Sequence, residues 1–100
     1  MGPYKLEELT AFYEGISVDT VTDAKNSAFG APLVEESGNV VTLSWKFVEI
    51  RGGGMWRRLR GEAGNRSRVM KIVITMLRVG NDKWSINKEM VFTSGTRKAI

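Results

Sequence analysis

The order of apolar and polar residues divides the chain into a helical N-terminal part and a strand-rich remainder. Within residues 6–16 apolar side chains recur every three or four positions, which predicts an amphipathic helix of about ten residues ending near Gly15. A second apolar stripe within residues 18–29 predicts another short helix, with Ser17 as its N-cap and Gly30 as its stop. The N-terminal part therefore predicts two short helices joined by a tight corner.

The rest of the chain changes to the two-residue period of β-strands. Residues 40–50 alternate between apolar and polar side chains, which predicts a half-buried strand after a polar turn at residues 35–39. Three consecutive glycines then end this strand, and residues 55–60 can return as a short hairpin partner. Residues 80–82 predict a hairpin loop, and residues 83–93 predict the last strand.

The strand predicted over residues 69–79 is apolar on both of its faces. Met70, Ile72, Ile74 and Met76 share one phase of the alternation, and the other phase also carries large apolar side chains. A strand of this kind is normally covered on both sides. Since two short helices can cover only one face of such a sheet, the second face needs a curled sheet, a ligand or another chain. A second copy of the chain is the expected cover, and the residues proposed for self-association are Val69, Val73, Leu77 and Val79.

These elements predict an α+β fold in which two short N-terminal helices pack on one face of a three- to four-stranded antiparallel sheet. The chain of 100 residues is expected to form a single domain. Within it, residues 1–30 are the helical pair, residues 40–93 an antiparallel meander and residues 94–100 a loose basic tail.

The composition excludes several kinds of chemistry. The sequence contains no cysteine and no histidine, so it offers no disulfide, no thiolate zinc site and no histidine general base. We therefore expect no catalytic residue, no cofactor and no metal. The sequence shows neither a signal peptide nor an apolar stretch long enough to span a membrane, so a cytoplasmic protein is the expectation.

Charge is distributed unevenly along the chain. Residues 1–50 carry three basic and eight acidic side chains, a net charge of −5, whereas residues 51–100 carry twelve basic and three acidic ones, a net charge of +9. Arginine suits bidentate phosphate contacts, and an exposed tryptophan can stack on a base. The alternative interpretation is a solvated hairpin, partly paired with the acidic helices. The residues proposed for binding an anionic partner or nucleic acid are Arg51, Trp56, Arg57, Arg58, Arg60, Arg66, Arg68 and Lys71.

The large aromatic residues leave a further alternative open. Trp45 and Trp84 fall on the apolar phases of their strands, which favours core packing. If the sheet curls into a cone, they could instead line a pocket for a small apolar ligand together with Phe47 and Ile74.

A succession of short motifs resembles a known pattern: Gly15-Ile16-Ser17, Val21, Phe29-Gly30-Ala31-Pro32, and a strand after Ser37-Gly38-Asn39. It is similar to the small helix-helix-meander modules of the β-lactamase inhibitory protein type and of the small lipoprotein of outer-membrane assembly. The resemblance covers roughly residues 9–47 and implies the architecture and a tendency to bind other proteins with one sheet face. The lipidated cysteine and the disulfides of those proteins are absent here, and no functional residue transfers.

The expected function is therefore a non-enzymatic protein-binding module, homodimeric through its sheet. A nucleic-acid-binding domain that uses the basic hairpin 51–71 is one alternative. A cone-like domain that binds a small ligand is the other.

Overall fold

The computed structural model describes residues 3–50, 54–59 and 68–93 of the chain. Within these ranges the chain forms two short helices and six strands. In chain order the elements are β1 (Tyr4–Lys5), α1 (Leu6–Gly15), α2 (Val21–Lys25), β2 (Leu33–Ser37), β3 (Val40–Glu49), β4 (Met55–Arg58), β5 (Val69–Gly80) and β6 (Lys83–Thr93).

The two helices occur where the apolar spacing predicts them, but α2 is shorter than expected. Helix α1 ends at Gly15 as predicted. Helix α2 has only five residues, and its N-cap is Thr20, not Ser17. The Thr20 hydroxyl accepts a hydrogen bond of 3.1 Å from the backbone N–H of Asp23, which satisfies one of the free donors at the start of the helix. The predicted cap was therefore three residues too early.

All strand pairs in the described sheet are antiparallel, and the sheet has more strands than the three or four predicted. Strand β3 lies at its centre and pairs with β5 along one side. On its other side β3 pairs with β2 over its first half and with β4 over its second half. Strand β6 pairs with β5, and the two residues of β1 extend the sheet beyond β4. Because β5 skips β4 to pair with β3, the sheet is not a simple meander.

The segment predicted as a polar turn at residues 35–39 is mostly strand. Glu35, Glu36 and Ser37 form the end of β2, and they pair with the first residues of β3. These side chains are exposed, because β2 lies at an edge of the sheet. Because these side chains are polar, the sequence pattern did not predict a strand here. The strand gains its backbone hydrogen bonds without burying much apolar surface.

The core lies between the helices and one face of the sheet, here called the inner face. Direct pairing places the alternate residues 41–47 of β3 beside the alternate residues 70–76 of β5. Leu9 of α1 and Ala24 of α2 are fully buried against this layer. The strand side chains of the core are Val41, Leu43, Trp45, Phe47, Met70, Ile72, Ile74 and Met76.

The sheet curls around this core. Strands β4 and β6 are separated by β3 and β5, yet the rings of Trp56 and Phe92 have centroids only 6.1 Å apart on the inner face. Helix α1 is also joined to β6. The Tyr13 hydroxyl donates to the carbonyl of Lys88 at 3.1 Å, and the Lys88 ammonium donates to the carbonyl of Ile16 at 2.8 Å. The end of α1 thus reaches the middle of the β6 edge.

Neither described helix has the length and apolar character that a membrane crossing requires. Residues 94–100, predicted to be a loose tail, lie outside the described residues.

Candidate functional site

The candidate site is the second face of the sheet, here called the outer face. The strand register arranges its side chains in rows that cross neighbouring strands. Successive rows are two residues apart along each strand, or about 7 Å. The rows that matter here are Arg57–Val48–Val69, Lys46–Lys71–Val91, Leu33–Ser44–Val73–Glu89, Glu35–Thr42–Thr75–Asn87 and Ser37–Val40–Leu77–Ser85.

Toward the Leu77 end, the outer face carries apolar side chains that remain in contact with solvent, in two rows separated by the polar row of Glu35, Thr42, Thr75 and Asn87. Leu33 keeps 59% of its surface exposed and Leu77 keeps 44%. Val40 lies directly opposite Leu77, and Val73 lies in the row of Leu33; both are half-buried. We call Leu33, Val40, Val73 and Leu77 the outer apolar patch. A separate apolar cluster on this face consists of Val48, Val69 and Leu59, and neither described helix contributes to it.

The four residues proposed for self-association do not share one environment. Val73 and Leu77 belong to the outer apolar patch. Val79 is 60% exposed and lies at the β-bulge between Arg78 and Gly80. Val69 is only 5% exposed, because it packs with Val48 and Leu59 in a separate cluster at the other end of the face. Val69 is thus not available as a contact residue in this conformation.

The other end of the outer face carries three cations. Lys46 and Lys71 are direct cross-strand partners in β3 and β5, and like charges in this position repel each other. Arg57 lies opposite Val48, one row from Lys46. Within the described ranges none of the three side chains forms a hydrogen bond or an ion pair. We call Arg57, Lys46 and Lys71 the basic triad.

Sequence reasoning missed Lys46 as a member of this surface. The alternation of β3 placed it on the polar phase, but its pairing with Lys71 depends on β5 lying next to β3. Arg57 and Lys71 were both proposed from the sequence, and the structure brings them to the same face with Lys46.

Arg58 and Trp56 lie on the inner face and do not contribute to the predicted basic surface. The Arg58 guanidinium donates to the carbonyls of Phe29 and Ala31, each at 2.7 Å. Gly30 lies between these two carbonyls with φ of +92°, and a Cβ on it would be 2.6 Å from Nη1 of Arg58. Trp56 is only 1% exposed, so its ring cannot stack on a base in this conformation. These two residues hold the chain after α2 and the core in place.

Of the remaining residues proposed for the basic surface, one lies within the described ranges and makes contacts on the inner face. The Arg68 guanidinium is 3.7 Å from the carboxylate of Glu49 and lies over the ring of Phe92 at 5.9 Å. Both contacts involve inner-face side chains, which separates Arg68 from the basic triad. Arg51, Arg60 and Arg66 lie outside the described residues.

A groove of about 690 Å³ lies between the solvent side of α1 and the start of β4. Leu6, Ala11 and Met55 give it apolar walls, and Glu7 and Glu14 place carboxylates along its length. The side chains proposed for a cone-like pocket lie elsewhere. Trp45, Phe47 and Ile74 are fully buried in the core, and Trp84 packs against it.

The described residues hold no group of three or more acidic, histidine or cysteine side chains that could bind a metal ion. Comparison with known proteins finds no matching family model, no matching curated protein and no matching solved structure for this chain. The candidate site is therefore defined by its own geometry. Its two parts are the outer apolar patch and the basic triad.

Proposed function

We propose that the chain is a non-enzymatic protein-binding module that forms a homodimer through the outer face of its sheet. The observation that carries this proposal is the exposure of Leu33 and Leu77, which are large apolar side chains two rows apart on one face. Exposed apolar surface favours association, because removing it from water lowers the free energy. The same use of one sheet face is what the resemblance to inhibitory and assembly modules implies.

The environment of β6 supports pairing face to face over pairing edge to edge. Strand β6 has eleven residues and lies at the end of the described strand order, where it could add a further strand. However, the Tyr13 hydroxyl donates a hydrogen bond to the carbonyl of Lys88 near the middle of this strand, so that carbonyl already has a partner. The Lys88 side chain also points inward, a feature that discourages edge pairing in natural sheets.

Sedimentation velocity over a concentration series of the full chain tests this proposal. We expect a species of twice the chain mass of 11.2 kDa at micromolar concentration. The substitution Leu77→Lys should shift the sedimenting species to the monomer, because it would place an ammonium group within the apolar contact. A wild-type chain that stays monomeric throughout the series contradicts the proposal.

Ile86→Lys is the matched control. Ile86 is 37% exposed, close to the value for Leu77, but its register partner is the buried inner-face residue Met76. It therefore has similar size and exposure on the opposite face of the sheet. The control variant should remain dimeric, and circular dichroism should show that both variants are folded. Equal loss of the dimer in the two folded variants would count against the outer face.

A further inference from the structure

We propose that the basic triad binds the phosphate backbone of nucleic acid, without reading the bases. This inference does not depend on self-association, because the triad occupies the opposite end of the outer face from Leu77. It extends across three neighbouring strands, β4, β3 and β5. Strand spacing gives it a width of about 10 Å.

The charges of the triad repel one another. Lys46 and Lys71 face each other directly across two paired strands, and such like-charge pairs destabilise a sheet. Arg57 adds a third positive charge one row away. An anion placed over the three groups removes this repulsion. The site thus has a physical reason to prefer a polyanion over water.

The acidic groups of the outer face lie in other rows than the triad. Glu89 lies one row beyond Lys71, and Glu35 lies two rows beyond Lys46. Neither forms an ion pair with a lysine of the triad among the described side chains. Among the described residues, the outer face therefore has a cationic end that no carboxylate pairs with. Both carboxylates lie among the rows of the outer apolar patch, with Glu89 in the row of Leu33 and Val73.

The site can contact phosphates but has no aromatic ring on which a base could stack among the described residues. Base stacking requires an exposed aromatic ring, and Trp56, the aromatic residue within the basic hairpin, is buried on the inner face. The triad is surrounded on its own face by Val48, Val69 and Leu59. What remains is contact from cations to phosphates, which positions a strand but carries no sequence information. Binding should therefore be independent of base identity.

Fluorescence anisotropy with labelled oligothymidylate and oligoadenylate tests the proposal on the full chain. We expect both probes to bind at low salt with equal affinity, and we expect the affinity to fall as salt rises. Each neutralised phosphate contributes a slope of about −0.7 to log K against log salt for single strands. The double variant Lys46→Ala/Lys71→Ala should therefore reduce the magnitude of the slope by about 1.4. Cations elsewhere contribute equally to both proteins and cancel in this difference.

The control is the double variant Lys25→Ala/Lys83→Ala, which removes the same charge from exposed lysines outside the triad. It should keep the wild-type slope. Absence of binding at low salt, or an equal change of slope in both double variants, overturns the proposal. A clear preference for one base overturns the backbone-only mode. Tighter binding of polyglutamate than of either oligonucleotide would assign the triad to an acidic protein partner instead.

These outcomes are distinguishable from failure of the homodimer. Leu77→Lys tests the apolar end without removing a member of the triad. If Leu77→Lys yields a monomer that still binds oligonucleotide with a slope at least as steep as the wild type, both proposals stand. If the wild type is monomeric and still binds, only the dimer fails.

Discussion

Strand β5 separates two environments along a single stretch of backbone. Its inner-face side chains Met70, Ile72, Ile74 and Met76 are all fully buried beneath the helices. Its outer-face side chains pass from buried Val69, through half-buried Val73, to exposed Leu77. The inner face is thus a uniform core, whereas the outer face changes character along the strand. A run that is apolar on both faces therefore does not show by itself that both faces are buried.

Consecutive arginines in β4 show the same division at the level of single residues. Arg58 points inward and donates to two backbone carbonyls, whereas Arg57 is exposed on the outer face. The two residues have the same chemistry and differ only in the phase of the strand. Side-chain direction, set by the two-residue period, separates an arginine that holds the fold from one that is available to a partner.

The largest expected effect comes from truncating one side chain on each face of β5. Ile74→Ala should lower the free energy of unfolding by about 2–5 kcal/mol, because it leaves a cavity in a packed core. In the monomer, Leu77→Ala should lower it by less than about 1 kcal/mol, since 44% of that side chain is exposed there. Urea denaturation of both variants, at a concentration where sedimentation shows a monomer, measures the difference. Similar losses would mean that the two faces are equally covered in solution.

Alanine substitutions of the two consecutive arginines should give a smaller difference in the free energy of unfolding. Arg58→Ala removes two charge-assisted hydrogen bonds to Phe29 and Ala31, and should cost about 2–3 kcal/mol. Arg57→Ala should change stability by less than about 0.5 kcal/mol, because the side chain is exposed and has no partner among the described residues. Thermal unfolding monitored by circular dichroism compares the two. An equal effect in both variants would contradict the inner-face role of Arg58.

Much of the fold could be predicted from local sequence patterns. The period of the apolar residues predicted α1, β3, β5 and β6 close to their observed bounds, because each of them carries a regular apolar stripe or alternation. The two-residue strand β1 and the polar strand β2 were missed. Neither one carries an apolar alternation, and each depends on a partner strand for its hydrogen bonds.

The candidate site was harder to predict from the sequence, because it depends on which strands become neighbours. The pairing of Lys46 with Lys71 follows from β5 skipping β4, and no local pattern encodes that choice. The inward direction of Arg58 follows from its phase, but its carbonyl partners come from a loop 27 to 29 residues earlier. Long-range geometry thus decided which basic residues remained on the surface.

The smallest expected effect is a gain in stability at the basic triad. Lys46→Glu would place a carboxylate directly opposite Lys71 and diagonal to Arg57. Replacing a cross-strand repulsion by an attraction should raise the free energy of unfolding by about 0.2–1 kcal/mol, measured by urea denaturation at low salt. The gain should shrink in high salt, because exposed residue 46 and half-buried Lys71 both keep contact with solvent, where salt screens their charges.

Lys83→Glu separates this local effect from a change in net charge. It alters the charge of the chain by the same amount, but Lys83 has Gly80 as its register partner instead of a second cation. It should therefore bring no comparable gain. If Lys46→Glu is no more stable than Lys83→Glu at low salt, the two lysines do not repel each other appreciably, and their pairing gives no reason to expect an anionic partner. If the gain appears while oligonucleotide binding weakens, the repulsion that costs stability in the free chain is the same feature that favours the polyanion.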